Sequence, residues 1–503
     1  MDQGLLLGHW IAGALDVPHD AERLPVYDPT RGVVARQVTV ARRADVDRAV
    51  SAAKAAQRAW ATLPALQRAR LLARFAERLR EGRDDLARLI AIEHGKTLSD
   101  ALGEVARGLE VVEFAAAAPQ LLKGEFADNV SSGVDSFSVR APLGVVAGIT
   151  PFNFPVMVPL WMLPIALVCG NTFVLKPSER DPSAALWLAA ALQAAGVPDG
   201  VVNVVQGDKT AVDALLEHPD VAAISFVGST AVARDVQRRG SAHGKRVQAL
   251  GSAKNHLIVM PDADLDAASE ALLGAAYGSA GERCMAISVA VAVGDATADA
   301  LLEKLRAGIA RIVVGPSLEP GVDMGPLVTA AHRARVLELI DSGIAEGAQL
   351  AVDGRGLRVA EAPNGFFLGP SLFDRVSPHM RIYREEIFGP VLSLVRVPNY
   401  TAAVDLVNAH PLANGSAMFT RDGETARQFA LDIEVGMVGI NVPIPVPAAY
   451  FSFGGWRQSL FGDHNMYGAD GVRFYTRVKT VTQRWPGGSG SPAGFAIPHQ
   501  RSA

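Results

Sequence analysis

The sequence predicts an α/β protein built from two doubly wound domains, and three observations carry that prediction. At 503 residues with 49% hydrophobic content, the chain exceeds the roughly 250–300 residues over which a single core keeps growing, so it divides. From Val145 the short apolar runs VVAGIT, NTFVLKPS, GVVNVVQG, AAISFVGS and KRVQALGS alternate with segments of helical length. Such runs, bounded by turn-forming residues, are the mark of parallel strands buried on both faces. A second series opens at His256 with HLIVMPDAD, then a helix over 264–277, the strand SVAVAVG, a helix over 297–312 and strands at AMFTRD and GMVGINV. The economical arrangement is two α/β units in succession, with a mononucleotide-binding half first.

The elements follow in chain order. LLLGHWIAGAL, residues 5–15, has the apolar character of a signal segment, but it follows Asp2 rather than basic residues and leads to no small-residue cleavage pattern. It reads as a local strand and turn. Over 41–97, Val46, Ala49, Val50 and Ala53 recur at helical spacing, and LLARFAERLREGRDDLARLIAIEHGKT continues that period with Arg and Asp opposite. These are surface helices with one buried stripe. FPVMVPLWMLPIALVC, residues 154–169, is shorter than the roughly 20 residues of a membrane span and holds three prolines, so it is expected as a buried helix. PGGSGSPAGFAIPHQRSA, from Pro486 to Ala503, has the composition of a mobile tail.

The 48 basic and 52 acidic residues are interspersed and give a formal charge of -4, which favours neither nucleic acid nor an anionic membrane as partner. A small soluble molecule is the expected partner. Two cysteines among 503 residues make no disulfide framework and fit a reducing, cytoplasmic compartment. There is no CxxC or HExxH, so no metal site is expected.

No GxGxxG stands where a dinucleotide fold would place it, so any cofactor must be held otherwise. SFVGSTAVARDV, Ser225 to Val236, is a strand, a Gly-Ser-Thr turn and a helix. Its N-terminus, with Ser229 as a small hydroxyl cap, offers a place for an anion such as a pyrophosphate, although the same tripeptide is also an ordinary cap. Cys284 lies in YGSAGERCMAIS beside Arg283; a nucleophilic thiol needs neighbouring positive charge or backbone donors to become a thiolate. Cys169, deep in an apolar run, is expected to be an inert core residue.

Taken together, TPFNFP (150–155), VLKPSER (174–180), FVGST (226–230), GERC (281–284) and EEIFGP (385–390) resemble, in order and spacing, the aldehyde dehydrogenase superfamily over nearly the whole chain. The resemblance implies a fold of two doubly wound α/β domains plus a small β oligomerisation element. It assigns 1–121 and 142–252 to NAD binding, 253–455 to catalysis, and 122–141 and 470–486 to oligomerisation, with 487–503 as the tail. The stretch near VKTVTQRW would complete a neighbour's sheet, and a homotetramer is the expected assembly.

The resemblance also implies roles. Cys284 attacks the aldehyde carbonyl, and Asn153 donates with the Cys284 backbone N–H to the developing alkoxide. Thr150, Phe152, Lys176, Glu179, Arg180, Ser229, Gly251 and Glu386 are the expected cofactor-binding residues. Lys176 and Glu179 would meet the adenosine ribose and Glu386 the nicotinamide ribose. A carboxylate at Glu179 disfavours a 2′-phosphate, so NAD is expected rather than NADP, with Arg180 working against that discrimination.

Relatives that hydrolyse their thioester carry a glutamate where this chain has Ala249, in QALGSAKNH. Alanine cannot take a proton, so the general base for water attack is missing. A thiol acceptor such as coenzyme A needs no such base. VQALG followed by AKNH, with GITPFNFP and GSAGERCMA, resembles the CoA-acylating methylmalonate-semialdehyde dehydrogenases, from which Ser252 departs by replacing a second glycine. In that group Arg107 and Arg283 would bind the substrate's carboxylate. A hydrolytic semialdehyde dehydrogenase, acting for instance on succinate semialdehyde, and a catalytically silent binding protein on the same scaffold are the alternatives.

Overall fold

The computed structural model describes residues 6–485, so the expected mobile tail lies outside the described residues. Five parallel strands form the centre of the first large sheet, in spatial order Arg246–Leu250, Val221–Val227, Val145–Ile149, Thr172–Lys176 and Val202–Val204. Numbered along the chain this is 5-4-1-2-3, a doubly wound order whose direction reverses at Val145–Ile149. In such sheets the crevice beside that reversal, at the carboxyl ends of the strands, is where ligands sit. Val145–Ile149 and Thr172–Lys176 are buried at every residue, which is why their sequences are continuous apolar runs rather than alternations. The LLLGHWIAGAL segment forms the strands His9–Ile11 and Ala14–Asp16, paired antiparallel on one edge.

The second large sheet runs Gln349–Val352, Ser371–Asp374, Val391–Val397, Ile287–Val293, Asn255–Val259, Gly415–Phe419 and Met437–Ile440, parallel except for the first strand. The chain then returns: Leu460–Phe461 pairs antiparallel with Arg246–Leu250 and extends the first sheet. Only Gly251 to Lys254 separate the last parallel strand of the first sheet from Asn255–Val259 of the second. The carboxyl edge of one sheet therefore abuts the amino edge of the other.

The 154–169 stretch supplies the helix Met157–Val168, buried at all twelve positions. No helix among the described residues is long and apolar enough to cross a membrane. The helix Leu98–Ala117 packs closely against it, because Gly108 lets the two approach: a Cβ there would stand 2.7 Å from Leu160 Cδ1.

Thr476–Arg484 pairs antiparallel with Val134–Pro142 of its own chain along all nine residues, and Phe126–Ser131 completes this three-stranded sheet. The tail strand thus finds a full-length partner within the chain and stands at the edge of its sheet, with its other side unpaired among the described residues. The reason is local: the helix Gly468–Phe474 buries Val472 and Phe474 in the first core and delivers the strand beside Val134–Pro142.

Asn171 fixes this junction. It is fully buried, accepts from Leu143 N and Gly144 N at 2.7 and 3.1 Å, and donates to Ala166 O and Tyr475 O at 3.1 and 2.9 Å. Asn171→Ala would leave Leu143 N, Gly144 N and Tyr475 O without this partner, at a cost of roughly 1–3 kcal/mol each, while Ala166 O keeps the bond from the residue-171 N–H. A clear fall in the urea midpoint with unchanged slope is the expected result.

Candidate active site

A cleft of about 600 Å³ opens between the two large sheets. Asn153, the Gly228–Thr230 turn, Gly251 and Ser252 reach it from the first sheet, and Cys284, Glu386 and Phe388 from the second. All the first-sheet contributors follow carboxyl ends of strands, and they flank the topological reversal. Cys284 and Asn153, far apart in sequence, thus share one cavity.

The first-sheet side is a tight backbone cradle. A Cβ at Gly251 would lie 2.8 Å from both Gln458 O and Thr230 Oγ1, so only glycine lets the chain pass here. Thr150 N donates to Lys176 O at 3.1 Å, and the buried Thr150 hydroxyl has no partner. Lys176 Nζ pairs with Glu179 Oε2 at 3.0 Å. Burial opposes ionisation of Glu179, but the Lys176 ammonium, its own backbone N–H and the Arg180 guanidinium together hold the carboxyl below its ordinary range. The Arg180 guanidinium lies over the Phe152 ring, 4.7 Å from its centroid. Lys176, Glu179 and Arg180 stand beside the large cleft rather than in its wall.

One expectation is corrected. Ser229 occupies the N-cap position of the helix Thr230–Ala242, but its side chain caps nothing. The hydroxyl that accepts from Thr230 N is that of Ser252, at 3.2 Å, and Ser252 N donates in return to Thr230 Oγ1 at 3.0 Å. The adjoining loop from the end of the neighbouring strand supplies the cap that the local sequence suggested for Ser229.

Cys284 sits in the loop between the helix Leu265–Tyr277 and the strand Ile287–Val293. Ser279, Ala280 and Gly281 all have positive φ, 52°, 52° and 75°, a left-handed turn that costs energy at the two non-glycine positions. Asp100 Oδ2 accepts from Ser279 N at 3.0 Å and helps to hold the turn. The Cys284 carbonyl is gripped by Asn255 Nδ2 at 3.0 Å and Asn414 Nδ2 at 3.2 Å. The thiol is partly buried, and burial, together with the Glu386 carboxylate, pushes it up to about 12; the backbone N–H groups of Cys284 and Met285 and the Lys96 ammonium act the other way. Cys169, enclosed in the first core, is pushed up by burial alone to the same range and has no cleft beside it.

Glu386 Oε1 accepts from Ala253 N at 2.8 Å. Burial raises its carboxyl, opposed by that backbone donor and by the Ser252 hydroxyl. Ala249, at the place of the absent glutamate, is fully buried in the strand Arg246–Leu250. Glu385 and Glu386 are the carboxylates in the cleft wall among the described residues.

The two arginines lie outside that wall. Arg107 pairs with Glu110 at 2.6 Å, donates to Pro447 O at 2.8 Å and borders a narrow cavity with Trp161 and Tyr467. Arg283 pairs with Asp100 and borders a separate cavity of about 490 Å³. Their guanidinium groups are not brought together. Residues that the sequence did not single out include Lys96, Asp100, Glu104, Asn255 and Asn414, which act on the site through contacts distant in sequence. Only Asn255, in the AKNH run, carried a signal near a recognised motif.

Because Glu386 raises the thiol, Glu386→Gln should move the pH profile of Cys284 alkylation by iodoacetamide to lower pH. An unmoved or higher midpoint would show that its charge does not reach the sulfur.

Comparison with known proteins agrees with this arrangement. The sequence matches the aldehyde dehydrogenase family over residues 17–481. It is 57% identical over 493 residues to a malonate-semialdehyde dehydrogenase of Pseudomonas aeruginosa, covering 98% of this chain and 99% of that one. It is 50% identical to malonate-semialdehyde dehydrogenase 1 of Geobacillus thermodenitrificans, covering 95% and 99%. A crystal structure of a methylmalonate-semialdehyde dehydrogenase from Oceanimonas doudoroffii superposes with a TM-score of 0.95 at 56% identity, over 96% of this chain and 99% of that one. A Sinorhizobium meliloti structure named for the same activity and complexed with NAD gives 0.96 at 52% identity, over 97% and 99%. With the cleft, the thiol and these likenesses in agreement, the chain belongs to the aldehyde dehydrogenase family.

Proposed function

We propose that the protein oxidises malonate semialdehyde and methylmalonate semialdehyde with NAD and passes the acyl group to coenzyme A. The observation that carries the reading is the pairing of a cleft thiol, Cys284, with a buried alanine, Ala249, where hydrolytic relatives hold their base. The names of the relatives above support the substrate class.

The chain's residues fit the cofactor. Gly251 leaves room for close backbone approach, the Thr230–Ala242 helix presents its N-terminus to the cleft, and the Thr150 hydroxyl is left without a protein partner. Thr150, Phe152, Ser229, Gly251 and Glu386 would hold NAD, with Lys176, Glu179 and Arg180 at its adenosine end. When bound, NAD accepts the hydride released from the substrate carbon.

Cys284 Sγ forms a bond to the aldehyde carbon while the carbonyl oxygen becomes an alkoxide. Asn153 Nδ2 and the Cys284 backbone N–H donate to that oxygen, a contribution worth on the order of 10²–10³ in rate per donor. After oxidation the thioester carries a carboxylate on its α carbon. Loss of CO2 leaves an enolate that the thioester carbonyl stabilises and that is then protonated. The CoA thiolate adds to the carbonyl and expels Cys284, giving acetyl-CoA or propionyl-CoA. A thiol is already partly ionised at neutral pH, so this step needs no carboxylate at position 249.

Arg107 and Arg283 are assigned to the substrate carboxylate. Each would exchange its present partner, Glu110 or Asp100, for that ligand. The first sheet serves nucleotide binding over 1–121 and 142–252, and 253–455 serves catalysis. The segments 122–141 and 470–486 serve assembly of a cytoplasmic homotetramer; the exposed Val478 and Trp485 on and beside the edge strand are the apolar groups such an interface would cover.

The reading is tested by NADH formation from both semialdehydes with and without CoA, with mass detection of the product. Sustained turnover only with CoA, yielding acetyl-CoA or propionyl-CoA, is expected. Equal turnover without CoA and release of a free acid would sink it. Arg107→Leu and Arg283→Leu should each raise the KM for malonate semialdehyde about 10- to 150-fold, the equivalent of one charged contact of roughly 1.5–3 kcal/mol, and leave that for propanal unchanged.

A further inference from the structure

Asn153 faces a geometric problem. Its amide must keep its hydrogens free for the alkoxide, and among the described residues its side chain makes no hydrogen bond within the protein. Its orientation therefore has to come from the main chain of a turn, Pro151 to Val156, that lies outside helix and strand. One buried ion pair fixes that turn from both ends. Lys96 Nζ donates to the Asn153 carbonyl at 2.6 Å and to Glu104 Oε2 at 2.7 Å. Glu104 Oε1 accepts from Val156 N at 2.8 Å and from Met157 N at 3.1 Å, closing the start of the helix Met157–Val168.

Lys96 and Glu104 are exposed by 1% and 2%. Burying an ion pair is weak grounds for stability, since desolvation of the two charges offsets their attraction. The pair's directional contacts, by contrast, all converge on the segment that carries Asn153. The Lys96 ammonium also stands 4.3 Å from the centroid of the Phe154 ring, the next residue of the turn.

We propose that Lys96 and Glu104 are positioning residues for the oxyanion-binding amide: the pair sets the direction of Asn153 Nδ2 by clamping its carbonyl and the two N–H groups that follow the turn. The inference rests on the reading of Asn153 as the alkoxide donor. A charge placed on the main chain can hold the amide without occupying its hydrogens, which a direct side-chain partner could not do. The Lys96 charge further favours the thiolate of Cys284 across the same turn.

The test is a double-mutant cycle on the NADH burst, the single-turnover measure of acylation. Glu104→Gln is the first variant, because glutamine still accepts from Val156 N and Met157 N and the fold survives. It weakens the hold on Lys96, and a displacement of the amide by a fraction of an ångström should slow acylation on the order of 10-fold, given that 1 Å can cost about 10². NAD affinity should stay within about twofold, by the same separation of sites. In an Asn153→Ala background the same substitution should change acylation by less than about threefold, because there is no amide left to aim. Lys96→Met combined with Glu104→Gln, which removes both charges, should behave as Glu104→Gln does or worse; any slowing that persists when Asn153 is absent should be matched by a shift of the Cys284 alkylation profile to higher pH, the mark of the lost Lys96 charge, and persistent slowing without that shift counts against the positioning role. Full additivity of Glu104→Gln with Asn153→Ala, or an unchanged burst in Glu104→Gln, overturns the positioning role. An Asn153→Ala enzyme that acylates at the parent rate removes the alkoxide-donor reading itself, and the inference with it.

Discussion

Between the two large sheets the chain has only Gly251 to Lys254, and these residues and the next are tied to three walls of the cleft. Gly251 passes between Gln458 and Thr230 where no side chain fits. Ser252 exchanges hydrogen bonds with Thr230 at the head of the nucleotide-facing helix. Ala253 N holds Glu386, and Lys254 Nζ donates to Ile382 O and Glu385 O at 2.6 and 2.8 Å on the loop that carries it. Asn255 grips the carbonyl of Cys284. Nucleotide helix, acidic loop and thiol are thereby set relative to one another by five consecutive residues, and little freedom is left for the cleft to change shape at its centre. Burial lowers the Lys254 ammonium to about 7, the electrostatic cost of placing a cation in this joint. Even a neutral amine keeps two hydrogens for the two carbonyls.

The parts of the fold visible in the sequence are those encoded by local pattern. Continuous apolar runs marked the buried parallel strands, three-proline spacing marked the enclosed helix Met157–Val168, and three of the ordered motifs carry Cys284, Asn153 and Glu386, which meet in one cavity. The Leu460–Phe461 strand was not legible, since two residues with no periodicity carry no signal and only the open edge of Arg246–Leu250 defines their role. The helix cap at Thr230 was misassigned to Ser229 for a related reason. Sequence proximity suggested the nearest hydroxyl, whereas sheet geometry delivers Ser252, 22 residues later, because strands Val221–Val227 and Arg246–Leu250 are neighbours in register. The departure from glycine at 252 is thus a substituted cap rather than a loss of backbone freedom.

Electrostatics explains why the supporting residues stay hidden from sequence. Lys96 lies in the short connection between the helices Arg83–His94 and Leu98–Ala117, and Glu104 in the second of them; the charged residues around them are mostly solvent-facing, and nothing local separates these two from Arg78 or Glu81. What distinguishes them is a partner 57 residues away for Lys96 and 52 for Glu104. The thiol itself is a compromise. Burial and Glu386 disfavour its ionised form, while Lys96 and two backbone donors support it, so the ionisation of this thiol depends on the groups arranged around it.

The two late returns of the chain have a consequence for biosynthesis. Leu460–Phe461 and Thr476–Arg484 complete sheets whose other strands emerge from the ribosome hundreds of residues earlier. Until they arrive, Arg246–Leu250 and Val134–Pro142 each present an unpaired edge, and unpaired edges recruit foreign strands. The nascent protein therefore passes through a stretch of synthesis in which its first large sheet has its core strands but lacks the strand that closes one edge.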